Sequence, residues 1–62
     1  MILKATYGER SLRIESMPDS PRCVLRIDGT VYATGRAAYL RRYAREVLAL
    51  PESFDLRWEV AS

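Results

Sequence analysis

The chain contains no histidine, no asparagine and no glutamine, and it has a single cysteine, tryptophan and phenylalanine among its 62 residues. These absences remove whole classes of chemistry. Without histidine the commonest general base and the commonest metal ligand are missing. With Cys23 alone no internal disulfide forms, and no Cys/His cluster exists to hold zinc. Cys23 also falls in an alternating segment with Leu25 and Ile27 on its own side, the setting of an inert core thiol rather than a nucleophile. Asp19, Asp28, Glu52 and Asp55 lie in or beside turns, where turn and capping roles account for them. The sequence thus reads as non-enzymatic, with no cofactor and no metal.

Long apolar runs are missing too. No stretch approaches the roughly 18 apolar residues of a membrane span, and MILKATYGER lacks the apolar run of a signal peptide. The expectation is a soluble chain in a reducing, cytoplasmic setting, without membrane contact. At 62 residues it is expected to form one compact domain over residues 1–62. A domain of that size buries only about 60% of the surface its unfolded chain exposes. Its stability is small enough that a cofactor-sized cavity is costly.

Arginine is plentiful. It supplies nine of the ten basic residues, Lys4 being the tenth, in a chain of net charge +2. Arginine suits bidentate contacts to carboxylate or phosphate; the missing Asn, Gln and His equally fit a coding bias. Position is more informative. The stretch Arg36–Leu50 holds four arginines against Glu46, a net +3, which leaves −1 for the remainder.

The order of elements follows from periodicity. Gly8-Glu9 has the form of a type II′ turn, and with Tyr7 opposite Arg10 the apolar residues Leu3, Ala5, Leu12 and Ile14 share one face. Pro18 and Pro21 break the pattern. Asp28-Gly29 then signals a type I′ hairpin. Setting Ile27 opposite Thr30 groups Cys23, Leu25, Ile27 and Tyr32, and leaves Val24, Arg26, Val31 and Ala33 on the reverse. Arg36–Leu50 reads as an amphipathic helix that Thr34 caps and Pro51 ends. Phe54–Val60 alternates as a half-buried strand. The fold class is α+β, a small antiparallel sheet (β-β-β-β-α-β) with one amphipathic helix packed on one face. The last strand either pairs beside the first, giving the order 5-1-2-3-4, or runs parallel to the fourth. The expected core is Leu3, Leu12, Ile14, Leu25, Ile27, Leu40, Tyr43, Val47, Phe54, Leu56 and Trp58.

Two surfaces are left as candidate sites. The first is the basic side of the helix, where Arg41, Arg42 and Arg45 stand with Ala38 and Ala49 among them and Tyr39 at the margin. A solvated helix face with an Arg42–Glu46 i,i+4 pair accounts for the same residues. The second is the sheet face that the helix leaves uncovered, with Val24, Arg26 and Val31. Arg13 and Arg57 add charge to that face, and Glu15, Asp55 and Glu59 share it. These surfaces suit a small module that binds a protein partner with an acidic surface, as an inhibitor or adaptor of the kind phage and mobile elements encode. Two alternatives use the same residues: a nucleic-acid binder that contacts phosphates through the helix arginines, and a self-associating unit such as a homodimer.

Overall fold

The computed structural model describes residues 1–61. Its elements are β1 (Ile2–Tyr7), β2 (Arg10–Ser16), β3 (Cys23–Ile27), β4 (Thr30–Gly35), α1 (Ala37–Val47) and β5 (Glu59–Val60). The five strands form one sheet in the order β4-β3-β2-β1-β5, every neighbouring pair antiparallel. The fold is α+β, and β5 lies beside β1 rather than β4.

Two tight turns set the registers. At the first, Gly8 has φ 61° and Glu9 lies outside the positive-φ region, the II′ form. Tyr7 pairs with Arg10, Ala5 with Leu12 and Leu3 with Ile14. At the second, Asp28 and Gly29 both have positive φ, 52° and 84°, the I′ form that follows the right-handed strand twist. Asp28 does more than turn the chain. Its Oδ1 accepts from the Ser11 backbone N–H at 2.9 Å, and its Oδ2 accepts from Arg10 Nε at 2.6 Å. One carboxylate thus ties the tip of the second hairpin to the tip of the first.

The second hairpin departs from simple alternation. Arg26 pairs with Val31 but Leu25 pairs with Ala33, so Tyr32 is an extra residue in a β-bulge. The bulge turns Ala33 inward against the core, the reverse of the face expected for it, and leaves Tyr32 41% exposed. Size is the physical reason. The helix lies over β2, β3 and β4, and an alanine opposite Leu25 leaves it room that a tyrosine would fill.

The helix is shorter than its apolar pattern suggests and starts without the expected cap. Arg36 is the N-cap residue, with no side-chain hydrogen bond to the first turn. Thr34 cannot serve because it lies within β4, paired with Val24. At the other end the Ala49 N–H donates to Glu46 O at 3.1 Å and the Leu50 N–H to Arg45 O at 3.0 Å. This is the Schellman arrangement, with Ala49 at φ 53° where glycine is usual.

The core lies between sheet and helix. Leu12, Ile14, Leu25, Ile27 and Leu40 are its largest fully buried side chains, with Ala5, Cys23, Ala44 and Leu56 around them. Each buried Leu or Ile contributes about 1.5–3 kcal/mol, a sizeable share of the roughly 5–15 kcal/mol that separates a folded domain from its unfolded chain. Leu3, Tyr43, Val47 and Trp58 are only partly buried but pack on this cluster. Phe54, expected in the core, is 39% exposed and meets the Tyr7 ring edge-on, centroids 5.1 Å apart.

Arg45 explains why the last strand is short. Its Nη1 donates to Phe54 O and, at 3.3 Å, to Asp55 Oδ1; its Nη2 donates to Pro51 O at 3.0 Å. The guanidinium therefore holds the backbone of residues 51–55 against the helix, out of ladder pairing with β1. The apolar alternation survives, since Leu56 is buried and Trp58 half-buried, but ladder pairing is confined to Leu3 with Val60 and Lys4 with Glu59.

Two predictions follow from these turns. Ala49→Gly relieves an αL conformation that costs a β-carbon residue about 1–2 kcal/mol, partly offset by glycine's extra unfolded-state freedom. The urea midpoint is expected to rise by the equivalent of about 0.5–1 kcal/mol; an unchanged or lower midpoint contradicts the strain. The second concerns pH. The Ser11 N–H and the Arg10 guanidinium hold the Asp28 carboxyl below its ordinary value. A carboxylate whose folded pKa is depressed stabilises the fold above its unfolded pKa, and that contribution is lost as pH falls through the folded value. Asp28→Asn keeps the turn preference but removes the charge. The stability gap between the two proteins should be full above about pH 4 and narrow below it; a gap independent of pH contradicts the assignment.

Candidate functional site

The helix face is less basic in space than in sequence. Arg45 is folded onto the 51–55 segment, with its side chain only 27% exposed. Arg41 and Arg42 remain exposed on α1. Glu46 is exposed as well, and among the described residues no Arg42–Glu46 ion pair forms. Tyr39 is 49% exposed and stacks on Tyr43, the centroids 5.9 Å apart. A shallow groove of about 130 Å³ runs beside Arg41 and Arg42 toward Leu56 and Trp58.

The uncovered sheet face gathers more charge. Strand pairing sets Lys4 opposite Arg13 and Arg13 opposite Arg26, and the same row ends on Val31 at one side and Glu59 at the other. Directly opposed side chains stand about 4.5–5.5 Å apart at Cβ, and like charges so placed repel. Three cations therefore occupy consecutive strands of one row.

Internal compensation of this row is thin. Glu15 belongs to the neighbouring row, and its Oε1 is 3.3 Å from Arg13 Nε and 3.7 Å from Arg26 Nε. Neither contact is aligned as a hydrogen bond. Arg13 Nε, shut off from solvent, has no hydrogen-bond partner. One carboxylate is thus shared between two guanidinium groups and satisfies neither. Asp55, expected on this face, instead meets Arg45.

Two further features flank the row. Because residues 54–58 leave β1 unpaired beyond Lys4, a cleft of about 280 Å³ opens there, lined by Lys4, Ala5, Thr6, Arg57 and Glu59. On the other flank Glu15 pairs with Val24 and Val24 with Thr34, so Val24 and the 50%-exposed Val31 form a small apolar margin beside Arg26. Ala33 does not join it, having turned to the core. The face thus brings together Val24, Arg26 and Val31 from the sequence-based candidates and adds Lys4, Arg13, Glu15 and Arg57. Hairpin registers already put Lys4, Arg13 and Glu15 on this side. Their alignment with Arg26 depends on the β2–β3 register across the Met17–Arg22 loop, which no turn motif specifies.

Chemically, the face can hold carboxylates or other anions beside a small apolar contact. No group of three His, Cys, Asp or Glu is placed to hold a metal ion among the described residues, and no helix among them is long and apolar enough to cross a membrane. Comparison with known proteins finds no matching family model, no matching curated protein and no matching solved structure, so any functional reading rests on this geometry.

Proposed function

We propose that the chain is a small non-enzymatic protein-binding module, an inhibitor or adaptor, whose main contact surface is the uncovered sheet face. The observation that carries this reading is the row Lys4, Arg13, Arg26, set side by side on three strands with one shared carboxylate and an exposed valine margin. Arginine is enriched at protein interfaces relative to the rest of the surface. Arg41 and Arg42 provide a secondary contact on the helix.

The alternatives fit the same face less well. Against nucleic acid, no aromatic ring interrupts the Lys4–Arg13–Arg26 row to stack a base. Against self-association, a two-fold contact brings the same patch on both copies together, which sets one cationic face against another.

Site-specific photo-crosslinking in an extract of the source cells tests the reading. A photoreactive residue replacing Val24 is expected to yield a discrete protein adduct that survives nuclease, whereas the same probe at Arg42 yields much less. Arg26→Glu should lower the yield at position 24 by at least about threefold, the scale of an exposed charge contact. Arg45 is left unchanged, because altering it releases the 51–55 segment. An adduct formed only from position 42, or one destroyed by nuclease, overturns the proposal.

A further inference from the structure

Resting on that reading, we infer that the sheet face takes an acidic α-helix of its partner, with carboxylates one helical turn apart lying along the Lys4–Arg13–Arg26 row, and that Glu15 is a built-in competitor for that helix. Spacing favours a helix. The row advances one strand at a time, about 4.8 Å per step, and side chains at i, i+4 and i+7 of a helix advance about 5.4 Å per turn. Over three positions the two series stay within about 1.2 Å, a mismatch that flexible Lys and Arg stems absorb. An extended strand presents same-face side chains every 6.6 Å or so and falls out of step by the third position.

Charge gives the same answer. Each cation of the row has a like charge as its direct neighbour, so a line of carboxylates relieves repulsion as it adds attraction. The cleft at Lys4 and Arg57 receives the carboxylate at one end of the helix. Val24 and Val31 meet a small apolar residue at the other.

Glu15 sets the strength of this contact. In the free protein its Oε1 reaches toward both Arg13 and Arg26. An incoming carboxylate has to displace Glu15 from between the two guanidinium groups. Removing the Glu15 charge while keeping its shape therefore strengthens binding, the opposite of what loss of a merely structural ion pair would do.

The test is a fluorescence-anisotropy titration of the full chain at low salt with labelled synthetic probes. One is an alanine-based helix with glutamate at i, i+4 and i+7; a second has the same composition with its glutamates distributed around the helix; a third is a thymidine oligonucleotide. The patterned helix is expected to bind at least fivefold more tightly than the distributed one and than the oligonucleotide. Glu15→Gln should tighten the patterned helix about threefold, the scale of one exposed charge contact. Arg26→Ala should weaken it by a similar factor. Equal binding of the two helices, tighter binding of the oligonucleotide, no saturable binding at low salt, or weakening by Glu15→Gln each overturns the inference. If the Val24 adduct forms in extract while the patterned helix fails, the sheet face stands as the interface and the acidic-helix assignment is what falls. If both fail, the functional reading itself falls.

Discussion

Backbone pairing in the two hairpins is the constraint on which the rest of this domain depends, because strand side chains alternate with a period of two and a one-residue slip would exchange inner and outer faces. The Gly8-Glu9 and Asp28-Gly29 turns fix that register from the same end of the sheet, where the Asp28 carboxylate links them. With the faces fixed, Leu12, Ile14, Leu25 and Ile27 gather inward beneath Leu40 and Ala44. By the same operation Lys4, Arg13 and Arg26 gather outward in a row. Core and candidate site are two consequences of one alternation.

Arg45 shows how one side chain can reassign the role of a segment. Its sequence context, among Arg41 and Arg42 on a helix, is that of a solvated cation. In the folded chain its guanidinium is a bracket for the carbonyls of Pro51 and Phe54 and for Asp55. Several donors in a rigid fork suit arginine to this task, where a lysine ammonium would act as a point charge. Holding residues 51–55 to the helix shortens β5 to Glu59–Val60, and the cleft beside Lys4 is the space that the missing pairing leaves. A contact on one side of the molecule thus shapes the surface on the other.

Much of this was legible in the sequence, and the parts that were not have specific causes. Turn chemistry and period-two alternation gave both hairpins and most of the core, because local rules govern them. The last strand, by contrast, had two possible neighbours, and only the fold places it beside β1. Ala33 turned to the core because a bulge answers the bulk of a helix that contacts the strand only in three dimensions. Phe54 stayed partly exposed because a carbonyl–guanidinium contact between residues nine apart outweighs an apolar pattern. Thr34 could not cap the helix because β4 runs one residue beyond it. On the site, Val24, Arg26 and Val31 were readable from their alternation. The row they belong to required the β2–β3 register, which is set by tertiary packing.

The account rests on the claim that the cations of the sheet face are mutually uncompensated in the free protein. A double-mutant cycle on Arg13 and Arg26, each replaced by threonine to keep strand propensity, tests it most directly through urea unfolding at low and high salt. Repulsion between the two, together with their competition for Glu15, predicts that the double variant is less stable than the single effects sum to. The expected coupling is about 0.3–0.5 kcal/mol at low salt, shrinking toward zero near 0.5 M salt. Additive effects, or a coupling of opposite sign at low salt, would mean that the row is internally satisfied and would contradict the account.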